Sequence, residues 1–489
     1  MNTIFTDTEI TEPAGGKSCE WWRHSIFYHI YTLGFCEAPE RNDFASPAEP
    51  RLDAVAEAAG HIRRLGCDAV YLGPLFESTS HGYDTVDHYH VDRRLGNNDT
   101  LRSVVRRLHE NGLRVVLDGV FNHTSRDHFA FFDLRQRGAA SPYRDWFKAV
   151  DFSANNRFGD GFTYRAWEGH EELPELNLDN REMREHLFGA VAQMIDDFEI
   201  DGLRLDVAYA LPPDFLRELR EFTTRGKGFF LLGEIIHGEY DRFAAETGLH
   251  SLTNYETYKA LWSAHNDRNY FELAHSLERN FGQANGSGGR ACNDNGGGPG
   301  ADCKPVLYNF ADNHDVNRVA SKLDNPRHLF PLYALLFTIP GIPSIYYGSE
   351  FGIEGRRSEH SDAALRPAWT EVLWRRETAD AAPELSAFIA ELAELRRRST
   401  ALCGGSYRPL YLDHHIIAFE RVTEEERIVV VVSSLGEQTT ISLSVESHSS
   451  AAEDMFRPGT FVPVKGSVLE LSLPAYGSMV LSLGRGGGV

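Results

Sequence analysis

Cysteine is scarce in this sequence, six in 489 residues, and the six show neither the paired short spacings of a zinc site nor the density of a disulfide scaffold. Cys292 and Cys303 flank a glycine-rich stretch and are read as free thiols, with a pairing left open. Basic charge is short as well. Lys and Arg number 49 against 71 Asp and Glu, and the formal net charge of -22 would repel a polyanion, which excludes nucleic acid as the partner. No apolar run approaches the roughly 20 residues that span a bilayer. The N-terminus, MNTIFTDTEITEPAGG, lacks both the basic region and the apolar core of a secretory signal. A cytoplasmic protein with a neutral ligand is the expectation these absences leave.

What is present is an alternation. Short apolar runs recur, separated by stretches of helical length, the pattern of strand and helix units around a parallel sheet. The runs are SIFYHIYT, DAVYLGPL, LRVVLDGVFNH, IDGLRLD, GFFLLGE, HSLTNYE, VLYNFADNHD and IPSIYYGSE, eight candidate strands. Residues Asp53 to Leu65, Leu101 to Glu110, Arg181 to Phe198 and Pro213 to Phe222 carry apolar side chains at three- and four-residue spacing and predict helices. An open doubly wound sheet also alternates in this way, but no glycine-rich phosphate fingerprint follows the first run. The fold class read here is α/β: a (β/α)8 TIM barrel with an insertion domain after the third strand and a C-terminal antiparallel β-domain. Residues 1–123 and 179–402 form the barrel, 124–178 the insertion, and 403–489 a β-sandwich signalled by RIVVVVSS and TTISLSV. The segment ANGSGGRACNDNGGGPGADCK precedes the seventh run, which places it at the barrel end opposite the chemistry.

Polar residues concentrate where the runs end. Asp118 and His123 follow the third, Asp206 ends the fourth, Glu234 ends the fifth, and His314 and Asp315 follow the seventh. A single Asp after a strand is commonly a cap or turn residue. In a barrel, however, the strand ends converge on one face, so four runs deliver their acids to one pocket. Within DGLRLDVAYA, Arg204 and Asp206 are two residues apart and project to the same side of a strand. Paired carboxylates with an arginine and histidines, and no nucleophile elbow, suit glycoside hydrolysis. One carboxylate attacks the anomeric carbon while the other donates and later removes a proton. Arg204 is expected to keep Asp206 ionised, while Glu234, emerging from FFLLG, stays protonated in drier surroundings.

These residues resemble the α-amylase superfamily, glycoside hydrolase family thirteen. DGVFNH, DGLRLDVAY, LLGEIIHG and FADNHD are similar to its four conserved regions in order, with HGYDTVDHY and IYYGSE as flanking signatures. The resemblance implies a retaining mechanism on α-glucosidic bonds with Asp206 as nucleophile, Glu234 as acid/base and Asp315 as transition-state stabiliser. It further implies that Tyr83 stacks under the sugar, that His123, Arg204 and His314 hold its hydroxyls and the nucleophile, and that Asp118 supports Arg204. His237, in GEIIH, is taken as a further substrate contact. LPELN at Leu173 and RLDVAYA look most like the cyclomaltodextrinase, neopullulanase and maltogenic amylase group, which prefers cyclic or short maltooligosaccharides. A cyclic maltosyl-maltose is one such substrate.

Departures from the pattern also matter. Val207 to Ala210 contain no Lys-His pair after the nucleophile, so the family's calcium site is incomplete; Asn122 remains as one ligand, and no cofactor is required. The first strand begins near Ser25, so the N-terminal β-domain that serves dimerisation in much of the group has no counterpart here, and a homodimer stays open. In related exo-acting enzymes an acid after the stacking tyrosine pairs with an arginine beyond the eighth strand. Asp84 and Arg366 stand in those places, as a substrate-blocking pair or as turn structure. HGYDTVDHYH is dense in histidine but lacks a carboxylate-histidine helix motif. It is therefore read as sugar contacts and structural hydrogen bonds, with no metal ligands assigned. A transglycosylase or isomerase would use the same intermediate, and a catalytically dead scaffold on this fold is opposed by the presence of all three carboxylates.

Overall fold

The computed structural model describes residues 20–224, 228–282, 305–359, 361–378, 382–446 and 449–484; Cys292, Cys303 and their glycine-rich stretch lie outside them. Eight parallel strands close into a barrel in chain order: β1 (Phe27–Ile30), β2 (Ala69–Leu72), β3 (Arg114–Gly119), β4 (Gly202–Leu205), β5 (Phe230–Gly233), β6 (Ser251–Thr253), β7 (Val306–Phe310) and β8 (Ile342–Tyr346). Each falls inside one of the eight apolar runs. The ring closes where β8 pairs with β1, Phe27 opposite Ser344.

Alternation along these strands sorts side chains into layers. At the N-terminal end of the barrel Phe27, Ala69, Val116, Phe230, Tyr308 and Ile342 form one apolar cluster, joined by Trp22. One inward position further on, Val116 gives way to Asp118 and Gly202 to Arg204, so polarity rises toward the C-terminal mouth. Gly202 fits this layering for a steric reason: a Cβ there would lie 2.6 Å from the carbonyl oxygen of Phe230 and 2.8 Å from its Cβ. The missing side chain lets the Phe230 backbone and Cβ approach in the lower layer.

Helices ring the barrel and begin at recognisable stops. Asn97 caps Asn98–Glu110 in a reciprocal capping box with Thr100, Asn180 caps Arg181–Asp196, and Pro213 opens Pro213–Thr223. The helix predicted over Asp53 to Leu65 is instead two, Asp53–Glu57 and Ala59–Arg64, meeting at Ala58 with ψ of -10°. A one-residue break leaves the apolar spacing nearly unchanged, so periodicity does not reveal it.

Between β3 and β4 the chain makes its longest excursion, holding the helix Phe129–Arg137 and, among the described residues, isolated bridges but no strand. LPELN is pinned there: Glu175 bridges His123, Leu176 bridges Phe147 and Pro174 bridges Ala166. Beyond the barrel, β9 (Ser406–Leu412), β10 (Ile416–Val422), β11 (Arg427–Ser433), β12 (Thr439–Ser444), β13 (Ala451–Asp454), β14 (Phe461–Lys465), β15 (Val468–Leu473) and β16 (Ser478–Ser482) pair antiparallel in the order β12-β15-β14-β13-β16-β11-β10-β9. One face of β10 and β11, with Ile417, Phe419, Val430 and Val432, belongs to the barrel's core, while Ala418, Val429 and Val431 face a second core with Leu443, Leu469 and Leu471. No helix among the described residues is long and apolar enough to cross a membrane.

The two parts are stapled by a buried arginine: Arg421 on β10 donates to the barrel's Thr338 carbonyl at 2.6 Å and to the Gly405 carbonyl of its own part at 2.9 Å. Thr338 ends the helix Leu329–Thr338, buried but for Phe330, where the helix dipole favours a cation. Arg421→Met leaves those carbonyls without donors and is expected to cost about 2 to 4 kcal/mol in urea unfolding. A change below about 0.5 kcal/mol would remove the staple from the account.

Candidate active site

Strand register builds the site before any side chain is considered. Asp118 on β3 is directly opposite Arg204 on β4, and Leu205 is opposite Gly233, so Asp206 and Glu234 emerge side by side from adjacent strands. The Arg204 guanidinium then binds all three acids. Nη1 donates to Asp118 Oδ1 at 2.9 Å and to Asp206 Oδ1 at 2.8 Å, and Nη2 pairs with Glu234 Oε1 at 2.9 Å. Arg204, Asp118, Asp206 and Glu234 are each at most 6% exposed. The ion pairs are therefore charge-assisted bonds in a water-poor mouth, stronger than surface pairs.

Two tyrosine hydroxyls fix Asp118, whose Oδ2 accepts from Tyr71 at 2.8 Å and from Tyr83 at 3.0 Å. The Tyr83 hydroxyl also lies 2.5 Å from His314 Nε2, and its ring stacks on His314 with an interplanar angle of 10°. His314 Nε2 is 3.0 Å from Asp315 Oδ2. Asp315 is the most open of the acids, its side chain 34% exposed, and Arg366 Nη2 holds its Oδ1 at 3.3 Å while Nε donates to the His314 carbonyl at 3.0 Å. Hydrogen bonds thus link Arg204, Asp118, Tyr83 and His314, with Glu234 ion-paired to the arginine at one end and Asp315 lying beside His314 at the other.

The backbone after β4 is strained. Val207 has φ 40° and ψ 46°, a left-handed conformation that costs a β-branched residue on the order of 1 to 3 kcal/mol. The bend aims the Val207 N–H at Glu234 Oε2, 2.9 Å away. Glu234 Oε1 also receives a long contact from the Tyr255 hydroxyl at 3.4 Å, and Tyr255 in turn accepts from Asn313 at 2.9 Å.

Electrostatics differ from the expectation that Arg204 would separate the two central acids. It pairs with both, and their burial is nearly equal. Burial pushes the Asp206 carboxyl well above its usual range, with repulsion from Glu234 and Asp118 adding to it and Arg204 opposing. Burial also pushes Glu234 up, against Arg204, with Asp315 adding repulsion. Their donors differ as well: Arg204 hydrogen-bonds Asp206, whereas the Val207 N–H and the Tyr255 hydroxyl bond Glu234, each favouring the ionised form.

The remaining candidates divide. His123 is buried against Trp167, ring centroids 5.5 Å apart, with Nε2 lacking a partner; burial pushes its pKa down to about 3, so the imidazole is neutral. Asp84 and Arg366 do not pair as the sequence suggested. Ser80 Oγ donates to Asp84 Oδ2 at 2.6 Å, whereas Arg366 is drawn to Asp315 and to Asp362, 3.3 Å away, two acids on its own side of the mouth. His237 is exposed on the loop after β5 and hydrogen-bonds to none of these acids among the described residues. Asn122 Nδ2 lies 3.3 Å from His123 Nδ1. Tyr71, Tyr31 and Tyr255 were missed by sequence reasoning. Tyr31 stacks on His314 and lies under the Arg366 guanidinium at 4.4 Å. All three stand at or just past strand ends, which was the signal available.

A closed parallel barrel whose C-terminal mouth gathers carboxylates around one arginine has the build of a glycoside hydrolase. Comparison agrees: the family described as "Alpha amylase, catalytic domain" matches residues 30–383 and "Maltogenic Amylase, C-terminal domain" matches residues 407–480. The chain belongs to the alpha-amylase family of glycoside hydrolases. It is 30% identical over 438 residues to a cyclomaltodextrinase of a Bacillus species, covering 85% of this chain and 73% of the relative. It is 26% identical to the intracellular maltogenic amylase of Bacillus subtilis, covering 84% and 68%. The cyclic alpha-maltosyl-(1-->6)-maltose hydrolase of Arthrobacter globiformis superposes with a TM-score of 0.75 at 26% identity, covering 95% and 99%.

A carboxyl with a folded-state pKa raised above its unfolded value binds its proton more tightly when folded, so stability falls as pH rises between the two values. Glu234→Gln keeps the shape and removes that cost. Its thermal midpoint is expected to exceed wild type at pH 7, with the difference fading near pH 4. An equal or lower midpoint at pH 7 would contradict the raised pKa.

Proposed function

We propose that the protein is a retaining glycoside hydrolase that cleaves α-1,4-glucosidic bonds in small cyclic or short linear maltooligosaccharides, in the cytoplasm and without a required cofactor. One observation carries the reading: a single guanidinium grips Asp206 and Glu234 together, with Asp315 at the rim. A retaining pair stands about 5 to 5.5 Å apart, a spacing that a shared guanidinium permits. Arg204 engages Asp206 Oδ1, which leaves Oδ2 to attack the anomeric carbon. Both oxygens of Glu234 accept N–H donors, so proton donation requires one of them to exchange its donor for the glycosidic oxygen. Glu234 then takes the proton of the water that opens the glycosyl ester on Asp206. Asp315, facing the ring, offsets the positive charge of the oxocarbenium-like transition state.

The substrate class rests on the relatives. The cyclomaltodextrinase and the cyclic maltosyl-maltose hydrolase act, by their names, on cyclic glucans, and the latter is matched over nearly its whole length. Asp84 supports recognition of a chain end, because its Oδ1 is buried without a donor, a place for a terminal sugar hydroxyl. In this reading Asp84→Ala raises KM for maltotriose with little change in kcat; unchanged kinetics would return Asp84 to a turn role.

Asp206→Asn and Glu234→Gln are each expected to lower kcat by about 10³-fold or more while the folded circular dichroism spectrum is kept. Retention of more than about a tenth of wild-type kcat would reassign the roles. The pH-rate profile is expected to be bell-shaped, its acid limb reporting ionisation of Asp206 and its alkaline limb loss of the Glu234 proton. Product analysis on maltotriose, cyclodextrins and cyclic maltosyl-maltose separates hydrolysis from transfer: longer or α-1,6-linked products would make the protein a transglycosylase.

A further inference from the structure

His88, in the loop after β2, does not join the carboxylates. It meets His128, which caps the helix Phe129–Arg137, and His186, on the helix Arg181–Asp196. The three rings pack edge to face, with centroids 5.7, 5.7 and 5.9 Å apart, and one ring nitrogen of each lies within 4.8 Å of the others. His88 is 3% exposed and His128 is fully buried. Three buried ring nitrogens have no hydrogen-bond partner: Nδ1 of His88, Nε2 of His128 and Nε2 of His186. Buried polar atoms are ordinarily satisfied, and three unsatisfied ones in one cluster call for a ligand that accepts lone pairs.

We propose that His88, His128 and His186 form a binding site for a divalent transition-metal ion of the zinc type, held through these three nitrogens. Neutral imidazole is the preferred ligand of zinc and its neighbours, whereas calcium takes oxygen. The tautomer of His88 is already set: its Nε2 donates to the Val120 carbonyl at 3.1 Å, which leaves Nδ1 as a lone pair. His128 needs a change. Its Nδ1 sits 3.4 Å from the Ala130 N–H, and metal at Nε2 moves the ring proton to Nδ1 and gives up that long contact. Burial keeps all three rings neutral, with His88 pushed down to about 4, so protons compete weakly with a metal. The acid whose charge acts on the cluster, Asp87, accepts from the Tyr89 N–H at 2.7 Å and faces His90 at 2.8 Å, so it is engaged elsewhere and the remaining coordination falls to water.

The ligands come from three separate segments, so the ion would tie the loop after β2 and the excursion after β3 to a barrel helix. It would stabilise the fold and take no part in bond cleavage. The inference departs from the sequence reading of HGYDTVDHYH as metal-free and is independent of the substrate assignment.

The test uses the full chain without an affinity tag. After chelator treatment and desalting, Zn2+ is titrated with Ca2+ and Mg2+ as controls, and bound metal is measured by mass spectrometry. Expected are one Zn2+ per chain, a raised thermal midpoint with Zn2+ alone, and a visible d–d band of tetrahedral intensity with Co2+. His186→Gln, at a half-buried position, should keep the fold and the kcat but lose the metal and the midpoint shift, and His88→Gln should do the same. Less than a tenth of an equivalent of Zn2+ bound, or equal binding and equal shifts in wild type and both variants, would overturn the proposal. The latter result would assign the zinc to surface histidines.

Discussion

One guanidinium surrounded by acids at the mouth of the barrel is the interaction on which this structure depends. Arg204 bonds Asp118, Asp206 and Glu234, and none of the four is more than 6% exposed. Without the arginine three carboxylates could not share so small and dry a volume in ionised form, since each would be neutralised by proton uptake instead. Losing one acid would still leave the guanidinium two partners and would relieve like-charge crowding, so the arginine is the member the cluster cannot do without. Neighbouring strands in fixed register deliver the acids to it.

The rest of the fold serves that delivery. Aromatic rings fill the lower barrel layer, so the charged residues sit on a packed floor that excludes water from below. Tyr71 and Tyr83 fix Asp118, and the left-handed turn at Val207 directs a backbone donor to Glu234. That turn is unfavourable for valine locally and is held by the packing around it, since Val207 is 5% exposed. Local strain and like-charge crowding in one place are the signature of a site optimised for chemistry at the expense of stability.

Much of this was legible in the residues. All eight barrel strands fall in the apolar runs, because parallel strands buried on both faces need continuous aliphatic and aromatic sequence. The acids were legible because strand ends are few and converge, and Arg204 with Asp206 because a two-residue spacing puts both on one face. Less could be read where contacts span the chain without a local pattern. The failure of Asp84 to meet Arg366 and the roles of Tyr31 and Tyr255 depend on which loops approach one another above the strands. His88 was read with its sequence neighbours Tyr83 and Asp84, yet it packs against histidines 40 and 98 residues away in the chain.

The central claim is that Asp206, held by Arg204, becomes bonded to sugar during turnover. Incubation with 5-fluoro-α-glucosyl fluoride, followed by proteolysis and mass mapping, tests it most directly. A glycosylated peptide with the modification on Asp206 is the expected result. An adduct on any other carboxylate, or inactivation-free turnover giving the inverted anomer, would contradict the account.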